Sequence, residues 1–510
     1  MKFNRTQRRT TRTKNHEGAD AYSLTPKEEL YAAVASTTLS DSFYEKADVR
    51  LTRIRQLIEQ VAATDPAFVA KLAVYAREAM YLRSVPLVLT VELAKVHAGN
   101  DLLRRMTGRV IKRADEITEL LAYYQQANGR TKGTKRLHKL SKQVQRGLAD
   151  AFNRFDEYQF AKYNRATEVK LRDALFLVHP KAKNAAQQAI FDKIAADILA
   201  PAYTWERELS QAGQEVAQAS EADKQAAFRA RWETLVLSGK VGYMALLRNL
   251  RNLLQADVSA EVLQAVALRL ADPAQVARSK QLPFRFFAAY RELEQVSHPA
   301  TPRLLHALEK AMVASATNIA GFDEHTRVGI FTDVSGSMGQ RLSQRSSIEL
   351  CEVGLTLSCL FRHTCEQVVN GVFAQSYQTV QTDRKGGILA NVQRLKQVNV
   401  GHSTNGYLAI DHLIKRRLEL DKVLIFTDCQ LWDSNYWGNR TISESWRTYQ
   451  RMYPQAKLYL FDLAGYGNTP LSTQGHNVHL IAGWSDKVFD MLAALENGRS
   501  AVAEIERMDI

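Results

Sequence analysis

The sequence predicts a two-part protein: an α-solenoid of short paired helices, then a C-terminal α/β domain built on a mainly parallel sheet. Three observations predict this. From about residue 24 to 320, apolar residues recur every three or four positions, and almost nothing alternates with period two. After residue 321, short β-branched runs alternate with helical ones. The charge divides at the same place. Residues 1–320 carry 49 Lys and Arg against 34 Asp and Glu, whereas residues 321–510 carry 19 against 20.

The helical part begins after a basic stretch, MKFNRTQRRTTRTK, which reads as a flexible arm over residues 1–14. It lacks the apolar core of a secretory signal. Segments such as RIRQLIEQVAA, AFVAKLAVYAREA, EITELLAYYQQA and AEVLQAVALRLA each show one apolar helical face, and Pro or Gly residues separate them. Short helices paired over about 300 residues imply HEAT-like stacking across 15–320. The densest basic run is RTKGTKRLHKLSKQVQRG. In it Arg130, Lys132, Lys135, Arg136, Lys139, Lys142 and Arg146 occur without an intervening acid. Positions 135, 139, 142 and 146 would share one helical face, a cationic stripe suited to phosphates.

The C-terminal part, 321–510, offers five strand-like runs: RVGIF, EQVVNGVFA, DKVLIFTD, KLYLFDLA and VHLIAG. Helical stretches such as SSIELCEVGLTLSCLF and NGYLAIDHLIKRRL lie between them. That grammar gives a Rossmann-like parallel sheet covered on both faces, with ligands at the carboxyl ends of the strands. Asp333, Ser335 and Ser337 follow the first strand in FTDVSGSM. Thr404 precedes a helix in GHSTNGYLAI, and Asp428 ends DKVLIFTD. Three loops thus bring only oxygen ligands to one sheet edge. Such a hard site suits Mg²⁺ best, with Mn²⁺ or Ca²⁺ as alternatives. Its neutral hydroxyls leave the ion able to accept an acidic group from a partner. Ser403 beside Thr404 offers a second hydroxyl at that position.

Other chemistries are poorly served. No G-x-S-x-G elbow frames Ser335 or Ser337, and the carboxylates are too few for a two-metal nuclease, so no catalytic residue is assigned. The four cysteines, Cys351, Cys359, Cys365 and Cys429, form no C-x-x-C pair, which argues against zinc and for a reducing, cytoplasmic setting. No apolar run is long enough to cross a membrane.

The Asp-x-Ser-x-Ser motif, with a later Thr and a strand-ending Asp, resembles the metal-ion-dependent adhesion site of von Willebrand factor A-like domains. The helical part resembles TROVE-module proteins, the family of the Ro autoantigen and its bacterial relatives. The stretches that carry this are NHEGADAYSLTPKEEL, YAREAMYLRSVPLVLTVELAK, KYNRATEVKLRDALFLVHPKAKN, YMALLRNLRNLL and SKQLPFRFFAAYRELE, in that order. The resemblance spans nearly all of 15–510. It implies a ring of HEAT-like pairs sealed by the A-like domain. It also implies a non-enzymatic role in noncoding-RNA quality control, with small structured Y RNAs on a basic outer surface and single-stranded RNA ends in a central hole. In bacterial relatives the Y RNA links the ring to an exoribonuclease; a monomer is expected.

On that resemblance, Lys162, Tyr163 and His179 fall where the family contacts RNA. Arg165, Lys170, Arg172, Lys181 and Lys183 surround the same apolar helix, while Asn164 and Ala166 depart from the family pattern. In LLRNLRNLL, the residues Arg248, Asn249, Arg251 and Asn252 would lie on adjoining faces of one helix, where either Asn reads base edges and Arg holds phosphate, or the Asn amides bond between neighbouring repeats. A second expectation competes: a protein-interaction scaffold whose metal captures an acidic partner.

Overall fold

The computed structural model describes residues 11–37, 44–129, 140–164, 167–281, 283–315, 321–342, 346–384, 386–432, 440–473, 477–483 and 488–510. Nine strands occur among them: β1 (Arg12–Lys14), β2 (Asp20–Ser23), β3 (Val328–Asp333), β4 (Val368–Phe373), β5 (Tyr377–Thr379), β6 (Lys422–Thr427), β7 (Lys457–Asp462), β8 (Asn468–Thr469) and β9 (Val478–Ala482). The larger sheet has the order β5-β4-β3-β6-β7-β9, parallel except for the antiparallel edge strand β5. All six residues of β3 and of β6 are buried, as strands covered on both faces must be.

Register places the polar residues. Thr332 pairs with Phe426 and Asp333 with Phe373, so β3 and β6 end side by side, with Asp333 and Asp428 as neighbours. Helix Leu350–Thr364 lies on this sheet, and twelve of its residues, from Leu350 to Phe361, are buried. Gly354 permits the close approach. A Cβ there would lie 3.0 Å from Thr332 Cγ2 and 3.1 Å from Phe426 Cβ. Phe361 of this helix meets Phe461, which stacks on Phe426 with centroids 4.4 Å apart. Each such fully buried ring contributes about 1.5–3 kcal/mol.

The chain divides into two compact units: residues 1–51 with 242–504, and residues 52–241 with 505–510. Compactness therefore does not divide where composition does, near 320. Helices Pro283–Glu294 and Thr301–Ser315 belong with the sheet. Arg291 and Lys396 pair with the buried Glu352 at 2.7 and 2.5 Å, and Glu309 accepts from the Ile388 and Leu389 amides. In the second unit the helices pack in pairs, among them Pro66–Glu78 with Ser84–Val96, Leu102–Val110 with Lys142–Phe152, and Trp205–Glu215 with Glu221–Leu237.

Three sequence expectations change. The arm over 1–14 is not wholly unstructured: Arg12, Thr13 and Lys14 form β1, which pairs with β2 as a hairpin, and β2 pairs in turn with β8. Backbone hydrogen bonding outweighs the basic composition here. The stripe from Lys135 to Arg146 is not one helix. Leu140 and Ser141 are non-helical, Ser141 is the N-cap, and the helix begins at Lys142. LLRNLRNLL is also broken, into helices Tyr243–Arg248 and Leu250–Gln255. At the break the Asn249 side chain donates to Ala245 O at 2.7 Å, an amide competing with the helical ladder.

Candidate functional site

The end of β3 turns through Ser335–Ser337 into a short 3₁₀ turn, Gly336–Gly339. Asp333 is fully buried. Its Oδ1 accepts the Ser335 amide at 2.9 Å, and its Oδ2 accepts the Thr427 hydroxyl at 2.7 Å. The hydroxyls of Ser335 and Ser337 lie 3.4 Å apart. The neighbouring loop is tied on by the Gly336 amide, which donates to His402 O at 3.0 Å. Gly401, with φ +84°, lets that loop turn; a Cβ there would lie 2.6 Å from Gln375 Cβ. Thr404 is buried, Ser403 less so, and the Thr404 carbonyl accepts the Trp432 amide at 2.9 Å. These bonds gather the loops of Asp333, Thr404 and Asp428 at one sheet edge.

Asp428 is also fully buried, with Oδ1 accepting the Gln430 amide at 3.0 Å. Its Oδ2 has no well-aligned hydrogen-bond partner. Cys429, next in sequence, holds φ +64°, a left-handed conformation that costs a non-glycine residue roughly 1–2 kcal/mol. Burial raises the pKa of Asp333. Burial, then the neighbouring Asp333 charge, raises that of Asp428. Two buried carboxylates that oppose each other's ionisation, a carboxylate oxygen without a well-aligned partner and clustered hydroxyls fit a hard divalent cation. Asp333, Ser335, Ser337, Thr404 and Asp428 are the residues that would hold it. The ion would supply a positive centre open to an oxygen ligand. Thr427 and Gln430 escape a motif search because their roles come from strand register and a tight turn.

A second group of polar residues lies in the helical unit. Lys142 and Arg146 are exposed on helix Lys142–Phe152. Gln145 of that helix donates to Leu177 O and Val178 O at 3.0 and 3.2 Å, capping helix Leu171–Val178. His179 follows with φ 48° and ψ 56°, and its amide donates to Leu175 O at 2.9 Å. Its backbone thus ends the helix while its ring is exposed. Asn153 donates to Lys181 O at 2.9 Å. These bonds pack the segment that follows helix Leu171–Val178 against helix Lys142–Phe152, and Lys142, Arg146, His179 and Lys181 are exposed on the two segments. Lys170 and Arg172 are exposed at the other end of helix Leu171–Val178. Lys162 is exposed on helix Glu157–Tyr163, with Nζ 5.6 Å from the Tyr163 ring, which Arg113 covers at 4.4 Å. Arg130, Lys132, Lys135, Arg136, Lys139 and Arg165 lie outside the described residues.

A third group surrounds a cavity of about 660 Å³ lined by Arg248, Arg251, Asn252, Arg285, Glu292 and Ser347, among others. Asn249 is not on it in the expected way. It is buried, and its Oδ1 accepts from Asn252 Nδ2 at 2.8 Å, which leaves it a structural amide. Arg251 reaches Glu292 at 3.5 Å. Desolvation, then the nearby Arg248 charge, lowers the Arg285 pKa. Arg248, Arg251 and Arg285 make this wall basic, offset in part by Glu292. Arg285 was hidden in PFRFFAAY, whose Phe284, Phe286 and Phe287 are buried in the core.

Comparison with known proteins accords with this arrangement. The TROVE domain family matches residues 25–231 and 198–320, and the Ro60 vWA domain family matches 327–495. The crystal structure of the Ro protein of Deinococcus radiodurans superposes with a TM-score of 0.61 at 18% identity, covering 92% of this chain and 100% of that one. At that identity the likeness is one of fold. Telomerase protein component 1 of Rattus norvegicus is 23% identical over 406 residues, 58% of this chain and 15% of that protein. The Mus musculus protein of the same name is 23% identical over 346 residues, 52% of this chain and 12% of that protein. The chain thus spans only a small part of the length of these two relatives. With its helical region and its C-terminal sheet both matched, the chain belongs to the TROVE-domain family and carries a vWA domain of the Ro60 type.

Proposed function

We propose that this protein is a non-enzymatic RNA-binding component of a Ro-type ribonucleoprotein. It holds a small structured, Y-like noncoding RNA on the basic surface around Lys142, Arg146, Lys162, His179 and Lys181. A single-stranded RNA end enters the cavity beside Arg248 and Arg285, in the service of noncoding-RNA quality control or processing. Family membership supports RNA as the partner, and the telomerase-component relatives accord with a ribonucleoprotein role. The observation that supports the surface assignment is the packing of the segment bearing His179 and Lys181 on the helix bearing Lys142 and Arg146, through Gln145 to Leu177 O and Val178 O and Asn153 to Lys181 O. Cations and an imidazole gathered this way grip phosphates and read RNA by shape. A divalent cation, Mg²⁺ first, belongs to the vWA domain rather than to this surface.

The test is RNA binding by a charge-reversed variant carrying Lys142→Glu, Arg146→Glu and Lys181→Glu. Because all three side chains are exposed, the melting temperature should hold. Affinity for a structured RNA at moderate salt should fall more than about tenfold. Unchanged affinity removes RNA from this surface. One observation favours a second reading: the Asp428 Oδ2, without a well-aligned partner and beside clustered hydroxyls, fits a metal that captures an acidic partner. In that case Asp333→Ala abolishes partner pull-down and the purified protein carries no RNA.

A further inference from the structure

Two tyrosines of the helical unit are joined on its surface. Tyr158 lies in the first turn of helix Glu157–Tyr163, and Tyr203 precedes helix Trp205–Glu215. They are 50% and 41% exposed. The Tyr158 hydroxyl donates to Tyr203 O at 3.3 Å, so one ring is pinned to the backbone that carries the other. Helix caps fix both backbones. The Gln159 amide donates to Asp156 Oδ1 at 2.7 Å, and the Arg207 amide to Thr204 Oγ1 at 3.4 Å. The patch is basic as well as aromatic. Lys162 Nζ lies 5.9 Å from the Tyr158 centroid, one turn along the same helix. Lys240, beyond the end of helix Glu221–Leu237, sets its Nζ 4.3 Å from the Tyr203 centroid. Glu157, the acid beside Tyr158 in the chain, is taken up by Lys193 at 2.7 Å.

A solvent-facing tyrosine ring leaves apolar area in water that a core position would remove. Here two such rings are held at one patch, each beside an ammonium group. That pairing matches a single strand of nucleic acid. A base stacks on the ring while the flanking phosphate meets the cation. Every base has a π-face, so the match is to a strand rather than to a sequence. Bases in a duplex are already stacked on one another, so the ligand is an unpaired segment. An acidic peptide would satisfy the lysines but not the ring faces.

We propose that Tyr158 and Tyr203 form a stacking site for unpaired RNA bases, with Lys162 and Lys240 holding the phosphates beside them. This rests on RNA as the partner of the helical unit and goes beyond the basic surface already described. Lys142, Arg146 and Lys181 grip the backbone of a structured RNA, whereas the tyrosines take a single-stranded segment of the same RNA. Tyr158, Tyr203 and Lys240 come from three separate segments, so no sequence motif joins them.

The experiment measures binding of the full chain to two RNAs: a blunt hairpin, and the same hairpin with an unpaired uridine tail containing one 2-aminopurine. Stacking of that base on a ring is read as quenching of its fluorescence. Wild type is compared with a leucine pair, Tyr158→Leu with Tyr203→Leu, and a phenylalanine pair, Tyr158→Phe with Tyr203→Phe. Both rings are exposed, so folding is preserved, and the melting temperature checks it. If the leucine pair melts early, the two single leucine variants carry the same test, each losing part of the effect. Wild type should bind the tailed hairpin at least about tenfold more tightly than the blunt one, with quenching. The leucine pair should lose both the advantage and the quenching while binding the blunt hairpin as wild type does. The phenylalanine pair keeps the rings without the hydroxyls and should match wild type. If wild type binds neither RNA, the RNA reading itself fails. The stacking assignment alone is overturned if wild type binds both RNAs equally, or if the leucine pair keeps the advantage and the quenching. It is overturned too if the phenylalanine pair fails as the leucine pair does, since the hydroxyl bond rather than the ring would then matter.

Discussion

Asp333 and Asp428 show what burial does to a single carboxylate. Both pKa values are raised, by burial and, for Asp428, by its neighbour. In the metal-free protein, the folded state keeps protons that the unfolded chain releases above about pH 4. The stability contributed by the protonated pair is therefore complete below that pH. It is lost as pH rises through the raised values. A divalent cation reverses the cost by favouring the ionised pair. The melting temperature gained on adding Mg²⁺ to chelator-treated protein should be larger at about pH 8 than at about pH 5. An equal gain at both, measured by differential scanning fluorimetry, contradicts a buried pair that needs the ion. The pair itself was legible in the sequence because Asp-x-Ser-x-Ser and a strand-ending Asp have fixed places in a parallel sheet. Thr427, which donates to Asp333, was not legible. Its role depends on which residue of β6 lies opposite the end of β3, and only register supplies that.

At the scale of the element, the helices were readable from their period but their ends were not. The Lys135–Arg146 pattern satisfied helical spacing, yet the chain caps at Ser141, because spacing does not reveal where a backbone leaves the helix. Asn249 broke a continuous apolar pattern through its own side-chain bond. Strands β1, β2, β5 and β8 are too short for alternation to register. Helix contacts make a sharper prediction. A Cβ at Gly147 would lie 2.6 Å from Thr107 Cβ and 2.8 Å from Arg104 O, and a backbone oxygen cannot swing aside. Gly147→Ala should destabilise the protein by about 1–3 kcal/mol despite alanine's better helix propensity. Gly108, on the partner helix Leu102–Val110, has nothing within 4 Å of the same position. Gly108→Ala should stabilise by up to about 1 kcal/mol. Chemical denaturation of the two variants reads both signs, and a stabilised Gly147→Ala would show that the two helices do not meet there.

Over the whole molecule, composition and packing answer different questions. Charge divides the chain near residue 320, and the two family matches divide it there too. Packing instead gathers helices 243–315 with the sheet, through the Arg291–Glu352–Lys396 cluster and the Glu309 cap. A one-dimensional charge count cannot see such long-range pairing. It does locate the electrostatic footprint, since the excess of cations lies in the helical part. The central claim is that this excess holds RNA through phosphates. It is tested most directly by the salt dependence of structured-RNA affinity, in wild type and in the triple variant Lys142→Ala, Arg146→Ala, Lys181→Ala. Each lost phosphate contact should flatten the plot of log affinity against log salt by about 0.7–0.9, so the variant's slope should be shallower by about 2–3 in all. Parallel lines of equal slope, whatever their offset, would contradict the account.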